Sequence, residues 1–272
     1  MNETELILTS ILNCPRVDLY ARELDLSMEQ KDRYDRMLQR RANGEPLQYI
    51  LGQCDFMGIQ LDVDARVLIP RPETELLVEL AIRELKTLRF GRPLRILDLG
   101  TGSGNVAIAL AQFIDRARIT SVDISSEAIE VARRNAAVHD VEHRIHFIRE
   151  DMVHLLQHDN PDGPPYDLII SNPPYIKTSH LASLPRDVQR EPVIALDGGE
   201  DGLYFYRQII EKGPRFLERR GLLLMEIGDG QGPAIEEIFH KNKYYSNVRF
   251  EKDYTNIDRI VAAYRKDVLW GI

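Results

Sequence analysis

The chain has 272 residues, 43% hydrophobic and 29% charged, with a formal net charge of −8. That length accommodates one large α/β domain plus a smaller one, and the apolar fraction argues against disorder. The acidic balance argues against broad attraction to duplex DNA or RNA, whose phosphates demand a basic surface, and no apolar run reaches the length of a bilayer.

Residues Met1 to Glu5 are acidic and lack the layout of a signal or transit peptide. Cys14 and Cys54 form no CxxC, so neither a disulfide framework nor a zinc site is suggested, and a reducing cytoplasm is the expected location. Leu6, Ile7, Ile11 and Leu12 recur at helical spacing within residues 3–13. Ser27-Met28-Glu29-Gln30 reads as a capping box opening a helix that stops near Asn43-Gly44. Its basic residues Arg33, Arg36, Arg40 and Arg41 read first as a solvated face. A strand-like stretch from Gln48 to about Leu68 turns at Gly52 and Gly58, and Pro72 fits the first turn of a helix carrying Leu76, Leu77, Leu80 and Ile82. Glu73 and Glu75 have two readings, contact with an active-site loop or a favourable charge at that helix start.

From Leu94 onward strands and helices alternate: a strand to Asp98, a helix over 105–114, a strand to Asp123, a helix over 126–139 and a strand over 144–149. A proline- and glycine-rich loop from His158 to Pro165 leads to the strand Tyr166 to Ser171. A strand near 221–227, a helix near 233–241 and strands near 246–251 and 258–264 follow, with Tyr204, Phe205 and Ile209 expected in a helix core. Alternation of this kind predicts a mostly parallel sheet wound on both faces, with ligands at the carboxyl ends of its strands.

Two motifs sit at such ends. Asp98-Leu99-Gly100-Thr101-Gly102-Ser103-Gly104 is a strand running into a Gly-rich turn and then a helix. Its G-x-G-x-G spacing is not that of a pyrophosphate-seating turn, and no Lys follows, so an adenosine-bearing ligand without phosphate fits better. Asp123, about 20 residues on, suits ribose hydroxyls. Asn172-Pro173-Pro174-Tyr175 follows an apolar strand, and two prolines cannot continue a sheet. The Asn172 oxygen, nearby main-chain carbonyls and the Tyr175 ring suit a planar group bearing an NH₂, either an amide or the exocyclic amine of a base. His139, His143 and His146 invite a metal reading, but His143 and His146 are expected on opposite faces of a strand, so no metal site is expected.

Six ordered motifs resemble the HemK/PrmC-type protein-(glutamine N5) methyltransferases over nearly the whole chain. They are Gly44 to Tyr49, Val67 to Glu75, Asp98 to Gly104, Asn172 to Tyr175, Glu191-Pro192 through Gly198 to Leu203, and Glu226-Ile227-Gly228. The resemblance implies a class I S-adenosylmethionine-dependent methyltransferase, a Rossmann-like mostly parallel α/β sheet over 71–272. A small helical substrate-docking domain with a connecting β-hairpin would fill 1–70. Arg71-Pro72-Glu73-Thr74-Glu75 is similar to the branch that modifies class-1 peptide chain release factors at the Gly-Gly-Gln glutamine, rather than to the ribosomal-protein branch. By position, Gly100, Thr101, Gly102, Ser103 and Gly104 would wrap the methionine and ribose, Asp123 the ribose hydroxyls, and Asp151 the adenine amino group. Met152 would cover the adenine ring, where many relatives carry an aromatic residue. Asn172 would lie between cofactor and substrate, and Asn172, Pro173, Pro174 and Tyr175 would hold the amide, with Asn172, Pro173 and Tyr175 serving catalysis. S-adenosylhomocysteine would be the product. Glu191 and Asp201 are read either as shaping a lid or as ordinary loop structure. Adenine-N6 methylation of nucleic acid and a non-catalytic binding module for the translation machinery stay open beside glutamine methylation.

Overall fold

The computed structural model describes residues 2–21, 25–87, 92–158, 163 and 165–267, so most of the expected loop before Tyr166 lies outside the described residues. Helix α1 (Glu3–Leu12) opens with a reciprocal capping box between Asn2 and Glu5. A single turn, α2 (Asp18–Ala21), precedes α3 (Met28–Ala42), whose Ser27 and Gln30 form the capping box expected from their spacing. Where a strand was expected to begin, the chain makes a short helix, α4 (Leu47–Leu51). Pro46 stands at its start and Gly52, left-handed at φ 76°, stops it after one turn. Ile7, Ile11, Met37, Leu47 and Ile50 from α1, α3 and α4 form a small apolar core.

Strands β1 (Gln53–Phe56) and β2 (Ile59–Asp62) pair as an antiparallel hairpin. Helix α5 (Pro72–Thr87) then leads into the main sheet. Its strands are β3 (Leu94–Leu99), β4 (Ala117–Asp123), β5 (Ile145–Arg149), β6 (Tyr166–Ser171), β7 (Leu217–Glu226), β8 (Tyr245–Lys252) and β9 (Asp258–Arg265). The order across the sheet is β5-β4-β3-β6-β7-β9-β8; β9 runs antiparallel to both its neighbours and the rest are parallel. Helices α6 (Asn105–Phe113), α7 (Ser126–Val138), α8 (Met152–Gln157), α9 (Tyr204–Lys212) and α10 (Gly232–His240) connect the strands.

The central strands β3, β6 and β7 are buried on both faces, and their period of two divides the core. Ile96, Leu168 and Leu222 face a layer containing Leu77, Leu85, Ile108 and Ala132, whereas Leu97, Ile169 and Leu223 face Leu156, Tyr206, Ile209 and Ile235. In helix α9 Ile209 is fully buried as expected, but Tyr204 is exposed, Phe205 is only partly buried, and Tyr206 fills the core. His143 sits in a 3₁₀ turn (Glu142–Arg144) before β5 rather than on the strand with His146, and His139 bonds the Gln60 carbonyl at 2.7 Å. No helix among the described residues is long and apolar enough to cross a membrane.

Candidate active site

The chain visits β3, β4 and β5 in one direction, then returns to the other side of β3 with β6. That reversal opens a crevice at the carboxyl ends of β3 and β6. Register puts Leu99 beside Val122 on one side and Ser171 on the other, so the turns after all three strands emerge together. The Ser171 hydroxyl donates to the Leu99 carbonyl at 2.7 Å, tying the last residues of β3 and β6. Gly100, Gly102, Asp123, Asp151, Met152, Asn172 and Pro174 line one cleft there. Sequence reasoning missed its apolar walls, Val67 and Leu68 after the hairpin, Ile124, Pro192 and Ile194, and Phe205 from α9. These carry no chemistry-bearing group that would single them out in a sequence.

The Gly-rich turn splits by role. Gly102 has φ 55° and open space where a Cβ would stand, whereas a Cβ on Gly100 would reach within 3.2 Å of Met152 Cε. Gly104 instead faces the interior, against Ile108 and Ala132. Thr101 and Ser103 are buried behind the turn. The Thr101 hydroxyl donates to Ser121 at 3.3 Å, and Ser121 donates to Asp98 at 2.8 Å; burial pushes the Asp98 carboxyl up to about 6, against the hydrogen bonds from Thr101 and Ser121. Ser103 Oγ has no hydrogen-bond partner among the described residues.

Asp123 accepts from the Gly102 amide at 2.9 Å and from the Ser125 amide at 2.9 Å, one on each carboxylate oxygen. Burial raises its pKa and those amides oppose the rise. Each oxygen keeps a lone pair for a further donor. Asp151 caps α8 through one oxygen, accepting from Val153 at 2.7 Å.

Behind Asn172 lies a polar chain. Asn172 Nδ2 donates to Thr74 Oγ1 at 3.1 Å, and Thr74 donates to Glu226 Oε2 at 2.5 Å. Thr74 and Glu226 are both buried. Pro173 is buried, and the Tyr175 ring packs against the core while its hydroxyl approaches the other Glu226 oxygen at 3.5 Å. Asn172 and Pro174 therefore face the cleft, and Pro173 and Tyr175 back them. Gln231 holds the Tyr175 carbonyl at 3.0 Å, and Gly198 donates to the Ile176 carbonyl at 2.7 Å. Glu191 accepts from the Ile69 amide and from Arg71, fastening the segment before α5, and Glu75 accepts from the Met57 amide at 2.9 Å. Asp201, exposed, pairs with Arg207 and accepts from the Leu203 amide just before α9. Thr74 and Glu226 lie in motifs visible in the sequence, but the Asn172–Thr74 bond spans 98 residues and the Thr74–Glu226 bond 152, so neither left a local signal.

A seven-stranded sheet in this order, with a Gly-rich turn and acidic strand ends around one cleft, defines a methyltransferase fold. The family model described as a methyltransferase domain matches residues 92–263, and that described as the PrmC N-terminal domain matches residues 1–52. The release factor glutamine methyltransferase of Thermodesulfovibrio yellowstonii is 36% identical over 96% of this chain and 91% of its own length. That of Moorella thermoacetica is 38% identical over 97% and 91%. A methyltransferase structure from Pyrococcus furiosus shares the fold at a TM-score of 0.54 and 20% identity, covering 87% of this chain and 99% of that one. The chain belongs to the release factor glutamine methyltransferase family.

Proposed function

We propose that this chain, acting in the cytoplasm, transfers a methyl group from S-adenosylmethionine to the side-chain amide nitrogen of the Gly-Gly-Gln glutamine in class-1 peptide chain release factors. The observation that carries the reading is the placing of Asn172 beside Gly100 and Asp123 on one cleft, at the point where the strand order reverses. The relatives' names supply the acceptor.

The cleft suits the cofactor. Open space at Gly102, an acidic pair in Asp123 and Asp151, and apolar walls from Met152, Ile124 and Phe205 match a methionine chain, a ribose and a purine. Gly100, Gly102, Asp123, Asp151 and Met152 would hold it. When bound it supplies a methyl group made electrophilic by a sulfonium.

An amide nitrogen is a weak nucleophile because its lone pair is delocalised into the carbonyl, and deprotonating it is costly. Asn172 Oδ1 and the Pro173 carbonyl are acceptors that would each take one N–H, fixing the plane of the substrate amide and aiming its lone pair. Such alignment is worth several kcal/mol of barrier, on the order of a well-oriented intramolecular reaction. The same acceptors stabilise the positive charge that develops on nitrogen, and the apolar walls strengthen that interaction by excluding water. The surplus proton leaves to solvent. Residues of α1, α3 and α4 are proposed to dock the release factor.

Purified protein incubated with labelled S-adenosylmethionine and a class-1 release factor, its Gln→Ala variant at Gly-Gly-Gln, and duplex DNA tests the assignment. Label on the first acceptor alone is expected. Label on DNA would move the Asn172 pocket to base chemistry, and no label would promote a binding module.

A further inference from the structure

The Asn172 amide is useful for holding an NH₂ only when its oxygen, not its nitrogen, faces the cleft. Nothing intrinsic to asparagine decides this, because the two ends are nearly the same size and either orientation packs equally well. Thr74 and Glu226 supply the decision. Strands β6 and β7 pair with Ser171 beside Met225, which sets Asn172, just past β6, level with Glu226, the last residue of β7. The first turn of α5 inserts Thr74 between them, within 3.1 Å of Asn172 and 2.5 Å of Glu226.

We propose that Thr74 and Glu226 are positioning residues that set the direction of this hydrogen-bond chain and so turn Asn172 Oδ1 toward the acceptor amide. An ionised carboxylate only accepts, so it takes the single hydroxyl hydrogen of Thr74. Thr74 Oγ1 is then left to accept, which selects the Asn172 NH₂ and sends the Asn172 oxygen to the opposite side. The inference rests on the reading of Asn172 as the residue that holds the amide.

Protonation of Glu226 removes the constraint. A carboxylic acid can donate to Thr74 Oγ1, which releases the Thr74 hydrogen toward Asn172 Oδ1 and presents the Asn172 NH₂ to the substrate NH₂, donor against donor. The groups facing Glu226 are Thr74 and Glu73 of α5, Tyr175 after β6, Tyr206 of α9 and Arg259 of β9. Arg259 is itself bound to Asp253 at 3.1 Å. Burial dominates and pushes the Glu226 carboxyl up to about 7, with Glu73 adding to the rise and Thr74, Arg259 and Tyr175 opposing it. Turnover is therefore lost as pH falls through about 7.

The test compares wild type, Thr74→Ser, Thr74→Val and Glu226→Gln in methyl transfer from labelled S-adenosylmethionine to a class-1 release factor between pH 6 and 8.5. Cofactor Kd by calorimetry and a thermal melt accompany each variant. Thr74→Ser keeps the hydroxyl and is expected within threefold of wild-type kcat. Thr74→Val is expected to lose at least tenfold in kcat, with cofactor Kd and release-factor KM within threefold. Glu226→Gln cannot ionise, and its amide can donate to Thr74 as the protonated acid does, so turnover is expected below wild type at pH 8.5 and without the acid limb near pH 7. A folded Thr74→Val with kcat within threefold of wild type, or an unchanged acid limb in Glu226→Gln, overturns the inference. Should Thr74→Val not melt cooperatively, the limb in Glu226→Gln decides. No transfer by wild type at any pH overturns the amide-transfer reading, and the positioning role with it.

Discussion

Glu191 Oε2 accepts the Ile69 main-chain N–H at 3.0 Å across 122 residues of sequence, and its other oxygen takes Arg71 at 2.5 Å. Glu191 is 4% exposed, so the pair is screened little by solvent. This contact joins the loop behind the cleft to the segment that carries Thr74.

Glu191→Ala leaves the Ile69 N–H buried without an acceptor and Arg71 without its carboxylate. Breaking a charged hydrogen bond of this kind costs roughly 3 kcal/mol. In a chain of this size that is a fall in Tm of about 6–10 °C. Glu191→Gln retains an acceptor for Ile69 and is expected to lose about half as much. Thermal melts of the two variants check the order, and an alanine variant within 2 °C of wild type would contradict it.

Gly102 and Gly104 both have positive φ, yet their substitution has different consequences. A Cβ on Gly104 would stand 3.0 Å from Ile108 Cδ1 and 3.1 Å from Ala132 Cβ, where α6 and α7 pack. Gly104→Ala is expected to destabilise by about 2–4 kcal/mol, left-handed strain adding to overpacking. Gly102→Ala meets no atom within 4 Å. It carries only the strain, roughly 1–2 kcal/mol, and its methyl enters the cleft. Cofactor affinity by calorimetry is expected to fall more for Gly102→Ala, and Tm more for Gly104→Ala. The reverse ranking would remove Gly102 from the proposed cofactor site.

Gly100, Asp123, Asp151 and Asn172 were legible in the sequence because each ends a strand or opens the helix after it, and a parallel α/β sheet gathers such positions by topology alone. What surrounds them was not. Tyr204 was expected in the core and is exposed, because the inward face of α9 is the i, i+3, i+4 stripe of Tyr206, Ile209 and Ile210, and Tyr204 lies about 200° from Tyr206 around the helix. The α4 turn was read as strand because five apolar-rich residues carry no period. In the sequence Thr74 and Glu226 are members of two separate motifs with no sign of a link between them. Their chemistry exists only once β6, β7 and α5 are assembled.

Asp98 lies under the Gly-rich turn, 1% exposed, and its carboxyl is pushed up to about 6 by burial. A carboxyl whose folded pKa exceeds its unfolded value of about 4 adds stability below pH 4, and that contribution disappears as pH rises through about 6. Asp98→Asn has no such titration and offers Ser121 an oxygen still. The stability of Asp98→Asn relative to wild type is thus expected to improve by about 2 kcal/mol between pH 4 and pH 7. Urea denaturation at the two pH values measures it. A difference that does not change with pH would mean that Asp98 is ionised in the fold throughout.

Asn172→Ala separates binding from transfer at the centre of the cleft. The cofactor contacts assigned to Gly102, Asp123 and Asp151 come from β3, β4 and the start of α8, none of which Asn172 holds in place. Cofactor Kd is expected to change by less than tenfold, roughly 1.4 kcal/mol. Methyl transfer is expected to fall below detection, because one of the two acceptors that orient the amide is gone and Thr74 loses the Asn172 NH₂ it accepts. Asn172→Asp sharpens the comparison: it restores acceptor oxygens but has no hydrogen for Thr74, and it brings a second carboxylate toward Glu226. It is expected to bind cofactor and to remain far below wild type in turnover. Calorimetry and labelled-methyl transfer on the same preparations check both variants. Normal turnover in Asn172→Ala would place the acceptor amide elsewhere, and loss of cofactor binding would make Asn172 a cofactor residue first.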